Sequence, residues 1–78
     1  MTATMSRARK QERTEVGRRV RRERRLAGLT QVELAEKAGL SEDAVWRLEV
    51  GRARHPRIST IRKIAEVLGV EVRDLIDE

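Results

Sequence analysis

The side chains of this chain best suited to chemistry are arginines, and the chemistry they suit is recognition of a polyanion. Arg52, Arg54 and Arg57 crowd a loop around Pro56, and Arg47 lies on the segment before it, which opens on Ser41-Glu42-Asp43. Catalysis has little to work with. His55 is the single histidine, too few for a histidine-based zinc site, and the chain has no cysteine for a thiolate cluster or a disulfide. No Ser–His–Asp set or glycine-rich phosphate loop is present, and two adjacent carboxylates at a helix start make no acid–base site without a pocket. The expected protein is not an enzyme and needs no cofactor or metal.

These groups must be positioned, and the residues around them specify how. Thr30-Gln31-Val32-Glu33 has the pattern of a capping box, in which the Thr hydroxyl accepts from a helix-start amide while Glu33 reaches back. The helix it opens runs to Ala38 and buries Leu34, Ala35 and Ala38. Only Gly39-Leu40-Ser41 separates it from the next helix, Glu42 to about Val50, which Ser41 caps. So short a link forces a steep crossing. Ala35 is small where the later helix passes, Gly39 suits a left-handed bend, and Val45 and Leu48 fill the angle. Around the later helix, helical spacing puts Ala44, Val45 and Leu48 on the inner face and Glu42, Asp43, Trp46, Arg47 and Val50 on the outer one.

Flanking segments complete the bundle. From Thr14 a first helix sets Val16, Val20 and Ala27 along one stripe, with Arg18, Arg19, Arg21, Arg22 and Arg25 on other faces. Arg24, four residues after Val20, falls on the apolar stripe. Gly28 ends this helix. After the arginine loop, Ser59 is expected to cap a fourth helix that turns Ile61, Ile64, Ala65 and Leu68 inward as far as Gly69. A short fifth helix carries Val72, Leu75 and Ile76, and Val70, Val72 and Ile76 are expected to stay exposed as dimer contacts. No segment alternates with a two-residue period. The fold class is therefore all-α, five short helices forming one domain over residues 14–78, with a helix-turn-helix at the second and third. Residues 1–13 read as a basic arm without order of its own. Trp46 is the lone aromatic, so the core must be aliphatic.

The stretch T-Q-V-E-L-A-E-K-A-G-L-S-E-D-A-V-W-R-L-E-V-G, followed by I-R-K-I-A-E-V-L-G-V, resembles the lambda-repressor and Cro-type helix-turn-helix family, also called XRE-like regulators. The likeness covers about residues 14–76. It implies a five-helix DNA-binding domain, dimeric on a near-palindromic operator, with its third helix in the major groove. By position, it implies Gln31 at a phosphate, and Ser41, Glu42, Asp43 and Arg47 facing base edges or flanking phosphates. Arg52, Arg54 and Arg57 would follow the DNA backbone. The family also pairs the positions of Arg24 and Glu49 in a partly buried salt bridge, which would fix the third helix against the first. Two residues depart from the family pattern. The carboxylates of Glu42 and Asp43 stand where phosphates approach, either to favour the helix N-terminus or to accept from cytosine N4. Trp46 replaces a small or polar residue. Stacking on the sugar-phosphate edge, touching a thymine methyl, packing on the basic loop and contacting a partner protein are all open to it.

Charge is distributed in the same sense. The formal net charge is +5 over 78 residues. Residues 1–29 hold ten Lys/Arg against three Glu, residues 30–58 five of each sign, and residues 59–78 three against five. Such a gradient orients a protein on a polyanion. The expected partner is double-stranded DNA, bound by a homodimer acting as a transcriptional regulator. The competing reading is an antitoxin or adaptor that uses this fold to hold a protein partner. No run approaches a membrane-spanning length and no apolar segment follows the basic start as a secretory signal requires, so a cytoplasmic protein is expected. No effector domain is expected after the fifth helix.

Overall fold

The Thr14 hydroxyl accepts from the Gly17 amide at 3.0 Å and so opens α1 (Glu15–Leu26). The computed structural model describes residues 14–76; the basic arm expected at 1–13 lies outside the described residues, as do Asp77 and Glu78. Four further helices follow: α2 (Gln31–Ala38), α3 (Glu42–Val50), α4 (Ile58–Leu68) and α5 (Val72–Leu75). This is the all-α, five-helix order that the caps and apolar spacing imply. α3 lies between α1 and α2, α2 also packs on α4, and α5 closes the bundle against α1 and α4. None of these helices is long and apolar enough to cross a membrane.

Aliphatic side chains from all five helices meet in one core. Val20, Leu34, Val45, Leu48, Ile61, Ile64 and Leu75 are each at most 1% exposed, with Ala35 and Ala65 between them. Burial of each branched side chain stabilises by about 1.5–3 kcal/mol relative to exposure, and a chain this short has few such groups. Ala35 is 2% exposed on α2, which packs against α3 across the short Gly39-Leu40-Ser41 link.

The tightest crossing involves a residue to which the apolar pattern attaches no role. Gly17 is buried in the first turn of α1, where a Cβ would overlap the Leu48 carbonyl oxygen and lie 3.3 Å from that of Glu49. The end of α3 thus rests directly on the α1 backbone. A glycine within a helical pattern is the available signal, since it weakens the helix by roughly 0.5–1 kcal/mol relative to alanine unless something else requires it.

Three expectations are corrected. The fourth helix is capped at Arg57 and not at Ser59, because the Ile61 amide that a Ser59 cap would need donates to the Arg57 carbonyl at 3.1 Å. Ala27 is exposed: α1 stops at Leu26, and Ala27 is its C-cap, already turned to solvent. Val70, Val72 and Ile76 are half-buried against the core, since the chain doubles back after Gly69 and lays α5 across α1 and α4. Among the described residues, the large apolar side chains left exposed are instead Leu26, Val32, Trp46 and Ile58.

Replacing Gly17 with alanine should lower the free energy of unfolding by about 1–3 kcal/mol, the usual cost of forcing atoms into a packed contact, despite the better helix propensity of alanine. Urea titration at constant m-value checks this. An unchanged midpoint would mean that α1 and α3 separate without penalty.

Candidate nucleic-acid interface

Local hydrogen bonds mark out the boundaries of the helix-turn-helix. Thr30 Oγ1 accepts from the Glu33 amide at 3.1 Å and Glu33 Oε1 accepts from the Thr30 amide at 2.9 Å, completing the expected capping box. Gly39 ends α2 in the left-handed region at φ +72°, where a side chain would be strained, and the Leu40 amide then donates back to the Ala35 carbonyl at 2.8 Å. Ser41 Oγ accepts from the Ala44 amide at 3.0 Å and starts α3. Val45 and Leu48 turn into the core while Ser41, Glu42, Asp43, Trp46 and Arg47 face solvent.

One buried ion pair fixes how α3 sits. Arg24 Nε donates to Glu49 Oε2 at 2.6 Å and its Nη2 to Glu49 Oε1 at 2.9 Å. The third nitrogen, Nη1, donates to the Leu29 carbonyl at 2.8 Å, and the Gln31 amide nitrogen donates to Glu49 Oε1 at 3.0 Å. Arg24 is 8% exposed and Glu49 1%. The bidentate geometry and the two added bonds answer the desolvation that burial of two charges imposes. The hydrogen bond to Glu49 holds the Arg24 guanidinium protonated beyond the ordinary arginine range, against the opposing effect of burial. A raised cation pKa stabilises at every pH below the unfolded value, so Arg24 itself introduces no pH dependence near neutrality. Gln31 is therefore placed differently from its neighbours on the outer surface: its amide nitrogen faces inward, onto Glu49.

The outward face of α3 carries two paired arrangements. Arg47 Nε lies 2.8 Å from Asp43 Oδ2 across one helical turn, both side chains being about two-thirds exposed (63% and 65%). The Arg52 guanidinium stands 5.4 Å from the centroid of the Trp46 ring, within cation–π range. Of the roles open to Trp46, packing on the basic loop is thus realised. That loop starts from α3 itself, since the Arg52 and Ala53 amides both donate to the Arg47 carbonyl, at 2.8 and 3.1 Å. Arg52, Arg54, His55 and Arg57 are exposed along it. The Asp43–Arg47 pair has a sequence signal in its opposite charges four residues apart. The contacts of Gln31 and of Arg52 depend on the tertiary path and have none. Among the described residues no His/Cys/Asp/Glu group could hold a metal ion. At the far end of the charged surface, Arg18 and then Arg19, each bonded to Glu15 at 2.9 Å, hold that carboxyl below its usual range.

A family model described as a helix-turn-helix domain matches residues 15–78. The HTH-type transcriptional regulator SinR of Bacillus subtilis (strain 168) is 35% identical over 63 residues, 81% of this chain and 57% of SinR. The immunity repressor protein of Bacillus phage phi105 is 40% identical over 63 residues, 81% of this chain and 43% of the repressor. The chain thus spans about half the length of these curated relatives. A crystal structure of SinR, the master regulator for biofilm formation, in complex with DNA superposes with a TM-score of 0.77 at 34% identity, covering 80% of this chain and 98% of that one.

Truncating Glu49 to alanine should destabilise the domain by about 3–5 kcal/mol, because Arg24 would keep a desolvated charge without its partner. Replacing both ends with apolar residues, Arg24→Met with Glu49→Leu, should recover most of that loss. Chemical denaturation of the two variants measures both effects, and a negligible shift for Glu49→Ala would contradict a buried pair.

Proposed function

The chain belongs to the XRE-like helix-turn-helix family, and from that premise we propose that it is a sequence-specific DNA-binding transcriptional regulator, a homodimer on a near-palindromic operator. The observation that carries this reading is the outer face of α3. It presents Trp46, Arg47 and the acidic pair to solvent on a helix whose inner face is locked by the Arg24–Glu49 bridge. A helix so held can enter the major groove without reordering on contact. The related SinR structure in complex with DNA supports DNA as the partner.

In this reading the exposed arginines of the loop, Arg52, Arg54 and Arg57, neutralise phosphates beside the groove, and Ser41 and Gln31 lie at the edge where the α2 and α3 N-termini approach the backbone. Amides at a helix start favour a phosphate there. Gln31 contributes through its place at the α2 N-terminus, while its side-chain nitrogen stays on Glu49. Trp46, with Arg52 beside its ring, flanks the same surface. Regulation here is by occupancy of DNA, with no reaction catalysed and no cofactor.

Binding should weaken linearly in log affinity against log salt, with a slope of about −0.9 for each phosphate neutralised. Arg54→Ala and Arg57→Ala should each flatten that slope by roughly one. Anisotropy on an operator recovered by selection from random DNA makes the measurement, and the two half-sites should lie about 10 base pairs apart or a multiple of that. No binding at 50 mM salt, a concentration at which such contacts are strong, would overturn the DNA reading and leave a protein partner as the alternative.

A further inference from the structure

We propose that the arginine-rich groove between α1 and α5 is a docking site for an acidic segment of another protein, one that carries an apolar side chain among its carboxylates. The groove has a volume of about 1020 Å³ and is lined by α1 from Glu15 to Leu26 and by Val70, Arg73 and Asp74 at the α5 end. Along α1 it extends about 17 Å, at roughly 1.5 Å per residue. It is open, without the enclosure that buries most of a small molecule, and so suits a length of chain. A smaller groove between α4 and α5, edged by Arg62 and Lys63, also reaches Val70 and continues the concave surface.

Six arginines and three carboxylates line the larger groove. Glu15 is committed to Arg18 and Arg19, at 2.9 Å each, and Glu23 lies 3.8 Å from Arg22. Arg73 turns to Glu71 at 3.1 Å. Among the described residues, no ion pair engages Arg21 or Arg25. Arg21 Nε is also buried without a hydrogen-bond partner, a donor that a carboxylate entering the groove would satisfy once the guanidinium turns to meet it. Next to Arg25, Leu26 is 73% exposed. A phosphate backbone has no use for that leucine, and the carboxylates set among the arginines interrupt any continuous phosphate track. A protein segment meets both features, since its own carboxylates come at intervals and an apolar side chain can cover Leu26. The groove is also remote from the DNA face. α1 buries Gly17, Val20 and Arg24, and the carbonyl end of α3 rests on Gly17. Arg18, Arg22 and Leu26, each four residues apart, run along the opposite side of α1. A partner held there leaves the outer face of α3 open.

The test uses the full chain and two labelled peptides about four helical turns long, one of glutamate with a leucine at every fourth position and one of glutamate alone. Wild type should bind the leucine-containing peptide more tightly, and should still bind it when saturated with operator DNA. Arg21→Gln with Arg25→Gln should weaken both peptides roughly 2- to 30-fold, the loss of two exposed ion pairs. Leu26→Ser should weaken the leucine-containing peptide at least about threefold and leave polyglutamate binding unchanged. Circular dichroism checks that the variants fold, and Arg25→Gln alone, at an exposed position, carries the test if the double variant does not. All variants should keep the wild-type salt slope on operator DNA, because that slope counts phosphates neutralised. Absence of peptide binding by wild type, or peptide binding that the variants leave unchanged, overturns the proposal. So does displacement of the peptide by operator DNA, which would put it on the outer face of α3. A flattened salt slope in the double variant would make the groove a DNA contact, and a changed sedimentation coefficient would make it a contact with a second copy of this chain; either result also overturns it. The peptide measurements need no DNA, so the failure of this proposal and that of the DNA reading are seen separately.

Discussion

The bridge between Arg24 and Glu49 is the constraint on which the outer surface of this domain depends. It joins the last turn of α1 to the end of α3, and through Leu29 and Gln31 it reaches the turn and first residue of α2. Two charges withdrawn from water tolerate little displacement, because each loses hydrogen bonds that no solvent replaces. Hydrophobic contacts alone would let a nine-residue helix slide or rotate by fractions of a turn at small cost, since apolar burial is non-directional. A bidentate ion pair is directional. It converts a bundle that holds α3 in place into one that also sets its rotation about its own axis.

That rotation decides which residues face outward, and the contact at Gly17 sets how far outward they stand. The α1 backbone supports the carbonyl end of α3 with no side chain between, while the ion pair fixes the same end chemically. The N-terminal end of α3, which carries Glu42 and Asp43, is held by the Ser41 cap, the short turn from Gly39 and the burial of Val45. The buried polar contacts of α3 are therefore concentrated at the end from which the arginine loop departs. Polar pairs on the exposed side differ in kind from the buried one. A solvent-exposed pair four residues apart is worth about 0.3–0.5 kcal/mol, too little to shape the fold, so the Asp43–Arg47 contact bears on where a side chain points and hardly on stability.

Much of this architecture is written in local pattern. Each of the α2 and α3 boundaries coincides with a capping hydroxyl or a glycine, and the apolar residues between them recur at helical spacing, so both helices and their crossing can be read residue by residue. Arg24 is legible for the same reason: an arginine on an otherwise apolar stripe demands a partner. What could not be read depends on how separate segments meet. Nothing local distinguishes Ser59 from Arg57 as the start of α4, because a serine near a helix start caps only if the amide it needs is free. Gln31 looks like a surface residue until Glu49 is seen beneath it. The carboxylate of Asp43 suits a helix N-terminus, a cytosine and an arginine one turn on equally well, and spacing alone does not rank the three.

The chain has neither tyrosine nor phenylalanine, so Trp46 is its only fluorophore of consequence, and that fluorophore lies outside the core at 40% exposure beside Arg52. In most small domains tryptophan emission reports whether the interior is intact. Here the interior is optically silent, and the light comes from the outer face of α3. Emission colour and quenching in this protein report the surroundings of one surface ring and the loop arginine next to it, which makes the native chain its own label for whatever approaches that face.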